Sequence, residues 1–152
     1  MGDLTLTSPA FDDGEPIPEK HGYEAENVSP PLSVSGVPDG AESLALVVDD
    51  PDAMEPAGKV WDHWIVWNVP VNAEILEGWN PSADGATEGT TDFDETGYGG
   101  PAPPDREHTY RFRLYALDTT IDLPSSAGKD DLEDAIEGHV LDEASLRGTY
   151  AP

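Results

Sequence analysis

The chain has no cysteine. Disulfides, zinc–thiolate centres and thiol nucleophiles are therefore excluded. It is almost as short of positive charge: 7 Lys and Arg face 32 Asp and Glu, giving a formal net charge of −25. A phosphate-neutralising basic surface cannot be assembled from so few cations, which argues against nucleic acid as a partner. An anionic membrane surface is disfavoured for the same reason. Long hydrophobic runs are missing too. The longest, 44–48 and 64–67, are far too short to cross a bilayer, and MGDLTLTSPAFDDGEPIP at the start has neither the basic nor the apolar region of a signal peptide. The expectation is a cytoplasmic protein with no stable membrane insertion.

Such acidity is compatible with disorder, but strand patterns and turn punctuation recur along the chain and point to a folded domain. Only three of the basic residues are lysine (Lys20, Lys59, Lys129). That balance reads as a protein of a high-salt cytoplasm, where ions at about 1 M shorten the Debye length to roughly 3 Å and screen self-repulsion. The alternative is an ordinary acidic protein. A melting temperature that rises strongly between dilute buffer and molar KCl is expected; an unchanged melt would remove the high-salt reading.

The 152 residues suit one domain, 1–152. The alternating Leu4-Thr5-Leu6-Thr7 reads as a first strand. Segment 11–21 is polar and proline-rich, and 27–32 is extended, since residues before proline avoid the helical region. Val37-Pro38-Asp39-Gly40 is a turn. Segments 43–48 and 64–69 read as short strands buried on both faces. Segment 80–100, rich in Gly, Asp and Thr, reads as a long surface loop. The clearest strand is 110–117, with Tyr110, Phe112, Leu114 and Ala116 on one face and Arg111 and Arg113 on the other. Helix is expected only late. Gly128 caps, Asp130 and Asp131 suit the positive end, Leu132, Ala135 and Ile136 form the apolar face, and Gly138 stops it. One or two further helical turns are expected over 142–146, with Glu143 and Arg147 four apart. The expected fold is a mainly β, antiparallel domain with one or two short C-terminal helices.

Two stretches hold chemistry. One is Asp50-Pro51-Asp52 with Trp61-Asp62-His63-Trp64. The other is Gly97-Tyr98-Gly99-Gly100-Pro101-Ala102-Pro103-Pro104, followed by Asp105-Arg106-Glu107-His108-Thr109-Tyr110. Taken alone, Asp-Pro-Asp is a turn, a His before Trp is a buried hydrogen-bonded residue, and a Gly/Pro run is a loop. Together, at strand ends, they can meet in one pocket. The glycines would let backbone N–H groups approach a ligand. Three uses stay open on residue type: a metal site, an acid–base pair, or a pocket for a small polar ligand. His21, with no partner motif, is expected at the surface, and His139 between helices.

These segments, with N-V-S-P-P-L-S (27–33), G-V-P-D-G-A-E-S-L-A-L-V-V-D-D-P-D-A (36–53), H-T-Y-R-F-R-L-Y-A-L-D (108–118) and G-H-V-L-D-E-A-S-L-R-G-T-Y (138–150), resemble the phosphatidylethanolamine-binding protein family in its prokaryotic Raf-kinase-inhibitor-like branch. The resemblance implies two antiparallel sheets, C-terminal helices and one small anion-binding pocket, and it makes a homodimer the expected assembly. Its walls would be Asp50, Asp52, Trp61, His63, Gly100, Pro104, His108 and Tyr110. Met54, Ala102, Thr109 and Val34 depart from the family pattern; Thr109 stands in place of an arginine. The implied function is binding of a phosphate, phosphoryl headgroup or carboxylate, with regulation of a protein partner. No cofactor, metal or catalysis is expected. The alternatives are a protease or kinase inhibitor acting through 80–100, and a metal-dependent hydrolase. In the binding reading, both His are imidazolium, and Asp50 and Asp52 orient them and raise their pKa values.

Overall fold

A computed structural model describes residues 3–152. Its centre is β3 (Ser43–Asp50), in which all eight residues are buried. A strand can be apolar on both sides only if both faces of its sheet are covered and neighbours lie on both edges. Both conditions hold. The strand pairs antiparallel with β4 (Trp61–Val69) and β6 (His108–Leu117). With β5 (Thr87–Glu88) and β7 (Val140–Tyr150) the five-stranded order is β5-β4-β3-β6-β7. The short strands β1 (Thr5–Thr7) and β2 (Ser33–Ser35) form the second antiparallel sheet. The fold is thus mainly β with two antiparallel sheets, as the family resemblance implies.

The alternation of side chains divides the core in two. Leu44, Leu46, Val48, Phe112 and Leu114 pack on one face with Leu4, Leu6, Phe11 and Ile17 from the N-terminal segment. Ala45, Val47, Ile65, Trp67 and Leu117 pack on the other, against Leu132 and Ile136 of α2 (Lys129–Ile136). That helix begins at Gly128, whose N–H donates to the Asp131 carboxylate, and is followed by Gly138 at φ 82°.

Five expectations are corrected. Residues 142–146 are strand, not helix, because β7 runs to Tyr150 and pairs with β6 from Val140 to Tyr150. Leu146 and Gly148 face inward while Glu143, Ser145 and Arg147 are exposed. A period of two thus overrides the local helical spacing, and the Glu143–Arg147 pairing does not arise. Helix is also not confined to the end: a 3-10 turn Pro51–Ala53 and the one-turn α1 (Met54–Ala57) follow β3. Segment 80–100 is no free loop. Pro81, Ala86, Thr91, Gly99 and Gly100 are buried in it, and it contributes β5. His21 is fully buried, its Nδ1 2.7 Å from the Val28 carbonyl, and His139 is exposed and paired with Asp118 instead of lying between helices.

Candidate functional site

β3 ends in two carboxylates, and the pleat sends them to opposite faces. Asp49 follows Ala45 and Val47 to the α2 side. Asp50 follows Leu46 and Val48 to the other. On that side β6 presents His108 and Tyr110, which share the parity of Phe112 and Leu114. β4 reaches the same place by an irregularity. The register with β3 shifts between Val48, opposite Trp64, and Asp49, opposite Asp62. The shift puts His63 on the same face as Trp64, while Asp62 pairs with Lys129 on the other face. A bulge of this kind re-aims a side chain without ending the strand. Trp61, Asp62, His63 and Trp64 are therefore all part of β4.

A cavity of about 210 Å³ opens between these strand ends. It is lined by Asp50, Trp61, His63, Pro104, His108 and Tyr110, together with Ala53, Pro56, Ala57, Phe93 and Ala102. Six of the eight residues expected at the site thus border one space. Asp52 and Gly100 do not, and their roles are corrected. Asp52 accepts the Thr109 N–H at 2.9 Å and so ties the turn after β3 to the start of β6. Gly100 donates its N–H to Asn27 Oδ1 at 2.7 Å. A Cβ on Gly100 would sit 2.0 Å from the His21 carbonyl, so this glycine serves close packing and not ligand approach. Gly99 likewise spends its N–H on the His63 carbonyl, at 2.8 Å.

The two histidines differ. His108 lies between two carboxylates: Nδ1–H donates to Asp50 Oδ2 at 2.6 Å and Nε2–H to Asp105 Oδ1 at 2.7 Å. Burial works to lower its pKa, but the hydrogen bonds and charges of Asp50 and Asp105 prevail and raise it, so the ring is held as imidazolium. His63 donates Nδ1–H to the Gly99 carbonyl at 2.8 Å. Burial outweighs the distant Asp50 charge and lowers its pKa, so the ring is neutral, with a lone pair on Nε2. The expectation of two imidazolium rings oriented by aspartates is thus corrected for His63, which a backbone carbonyl orients.

Tyr110 completes the floor. It is 1% exposed; its hydroxyl lies close to the Asp50 carboxylate and the Ala102 backbone, but no contact among the described residues has full hydrogen-bond geometry. Burial and the Asp50 charge push its pKa well up, so it is a neutral donor. The His63 ring meets Tyr110 edge-on at 5.2 Å and Phe93 edge-on at 5.4 Å. Phe93 had one sequence signal: it is among the few large side chains of a Gly- and Asp-rich segment. Asp105 had none beyond standing three residues before His108. Among the described residues, no group of three or more His, Asp or Glu side chains is arranged to hold a metal ion.

The family model described as phosphatidylethanolamine-binding protein matches residues 7–151. This chain belongs to the phosphatidylethanolamine-binding protein family. A relative in Methanothermobacter thermautotrophicus, a UPF0098 protein, is 48% identical over 97% of this chain and 98% of its own length. A UPF0098 protein of Chlamydia muridarum is 42% identical, again over 97% and 98%. Among solved structures, a phosphatidylethanolamine-binding protein homologue from Chlamydia trachomatis superposes with a TM-score of 0.91 at 40% identity, covering 99% of this chain and 98% of that one. Escherichia coli YbcL, a member of the same family, gives a TM-score of 0.88 at 31% identity over 98% of both chains. The family's two-sheet fold is thus preserved in a chain carrying −25 charges.

Proposed function

We propose that this protein binds a small anion, a phosphoryl headgroup or a carboxylate, in the cavity between Asp50, His63 and His108, and that it acts by binding and not by catalysis, in the cytoplasm. The observation that carries this reading is the Tyr110 hydroxyl. It is buried, lies near the Asp50 carboxylate and beside an imidazolium, and makes no hydrogen bond of full geometry among the described residues. A buried donor without a partner costs about 1–3 kcal/mol, which a ligand oxygen would recover. His108 supplies the cation and Tyr110 the neutral donor. The neutral His63 accepts at Nε2, which suits a protonated oxygen of a phosphate monoanion. The apolar walls, Trp61, Phe93, Pro56 and Pro104, limit water and strengthen these bonds. With Asp50 and Asp105 close by, affinity for a free anion will be modest.

The test is titration of inorganic phosphate and of phosphorylethanolamine, by calorimetry and by NMR of the His ring resonances. Saturable binding that perturbs the His63 and His108 resonances is expected. No saturation by either compound, with the rings unperturbed, would end the anion reading.

A further inference from the structure

His108 has two N–H donors, and both already meet a carboxylate, but the two carboxylates are held very differently. Asp50 is buried at the end of β3, and its Oδ1 accepts the Asp52 N–H at 2.9 Å. Its side chain is only 4% exposed. Asp105 follows Pro104, which lines the cavity, and lies between the Pro-rich segment and β6 with its side chain 39% exposed. Its Oδ1 accepts both the His108 Nε2–H and the Arg106 N–H, the latter at 2.9 Å. Rotation about its own side-chain bonds would return this carboxylate to water.

We propose that Asp105 is a built-in occupant of the anion subsite: its carboxylate takes the His108 Nε2–H that an external carboxylate or phosphoryl oxygen would use, and such a ligand binds by displacing it. The inference rests on the anion-binding reading of the cavity. It follows from charge and geometry. An oxygen 2.7 Å from Nε2 stands where a ligand oxyanion making a charge-assisted hydrogen bond would stand. If an anion entered with Asp105 in place, three anionic groups would surround one imidazolium. Exchange of Asp105 for the ligand keeps two. The charged groups facing His108 are Asp50 and Asp105. Asp105 in turn faces His108 and the backbone of Arg106.

The same loop carries a latch. The Arg106 guanidinium reaches Glu55 Oε2 on α1 at 3.0 Å, joining the two rims of the cavity mouth. Both side chains are solvent-exposed, so the latch is weak and reversible. Asp105 does not act as a proton switch. Burial works to raise its pKa, but the His108 hydrogen bond and the neighbouring N–H groups hold it below the usual carboxylate range. It therefore stays a carboxylate throughout the neutral range, and the subsite opens by competition. A ligand entering through a neutral or cationic group meets no such competitor.

Inorganic phosphate is titrated at pH 6 and fixed salt into the full chain and into Asp105→Ala, Asp105→Ser and Glu107→Gln, each checked for an unchanged fold by its melt. Glu107→Gln removes an equal charge from the same loop without touching His108. Freeing the subsite raises the competent fraction, so both Asp105 variants should bind phosphate roughly three- to tenfold more tightly than wild type. Glu107→Gln should gain less than about twofold. Equal binding by wild type and both Asp105 variants would overturn the inference while leaving the anion pocket standing. So would weaker binding by the Asp105 variants, which would make Asp105 an anchor, or an equal gain in Glu107→Gln, which would make the effect diffuse charge. Absence of binding in all four proteins would overturn the pocket reading and the inference with it.

Discussion

Asp49 and Asp50 are adjacent in the chain, and the described residues hold all 32 acidic side chains, yet these two are the only buried ones. The strand sends them to opposite faces, and the faces treat them differently. Asp49 is saturated. Arg111 donates to it through Nε at 2.9 Å and a terminal nitrogen at 3.0 Å, Arg113 at 2.9 Å, and Lys129 at 3.4 Å. Lys129 also bonds Asp62 at 2.8 Å, so the network ties α2 to β3, β4 and β6. Three of the chain's seven cations converge on this one carboxylate. Asp50 receives an imidazolium and one backbone N–H, and beside it a tyrosine hydroxyl makes no hydrogen bond of full geometry. A closed polar network holds a fold together; one with a vacant donor next to a cavity can accept a ligand.

The largest way to break this contrast is on the closed side. Asp49→Asn should lower unfolding stability by about 3 kcal/mol, measured by urea denaturation. That is the low end for a broken buried ion pair, because both arginines are partly exposed and can turn to water. The pH dependence has a definite sign. Burial works to raise the Asp49 pKa, but Arg111, Arg113 and Lys129 lower it overall. Its stabilisation is therefore present above the unfolded carboxylate value of about 3.9 and is lost as pH falls through the depressed folded value. If Asp49→Asn unfolds like wild type, the network is not what fastens α2 to the sheet.

Next in size is the open side. His108→Ala should weaken phosphate binding by about 10- to 150-fold, the worth of a charge-assisted hydrogen bond of roughly 1.5–3 kcal/mol. Its folded pKa is raised, so the cationic form persists above the reference of about 6.5. Affinity should be greatest at mildly acidic pH and fall as pH rises through that raised value. The stability linked to His108 is fully present below the unfolded value and is lost over the same rise. Asp50→Asn should move the fall in affinity to lower pH. His63 should titrate below the reference value, because burial lowers it. NMR titration of the two rings tests this directly: a single shared pKa would erase the difference between them.

The contrast also marks what the sequence could reveal. The strands were legible because β3 and β6 carry unbroken or alternating apolar patterns, and α2 because its cap, face and stop all agree. The C-terminal strand was not. Its Asp-Glu-Ala-Ser-Leu-Arg run fits a helix period as well as a strand period, and only the long ladder with β6 decides between them. The site was legible as a set of residue types, since Asp50, His63, His108 and Tyr110 border one cavity. Their charge states were not. Whether a histidine meets a carboxylate or a carbonyl depends on the His63 bulge and on Asp105, which no local pattern announces. The glycine-rich segment misled for a similar reason. Its N–H groups looked free, but Asn27 and the His63 carbonyl take them.

The smallest effect separates the two faces most cleanly. On the closed side, removing a donor to Asp49 must cost stability, because it strands part of a buried charge. Tyr110→Phe removes a buried hydroxyl that makes no hydrogen bond of full geometry among the described residues. Stability should be unchanged or slightly higher, since a buried polar group without a partner is itself a cost. Ring packing against His63 is retained, so the cavity keeps its shape. Phosphate affinity should still fall, by about 2- to 12-fold, the range of a single neutral hydrogen bond of roughly 0.5–1.5 kcal/mol. Urea denaturation and phosphate calorimetry on the same variant give both readings. A loss of stability of 1 kcal/mol or more would mean that the hydroxyl is already satisfied in the folded protein. The open side would then be as closed as the Asp49 side, and Tyr110 would no longer mark a ligand site.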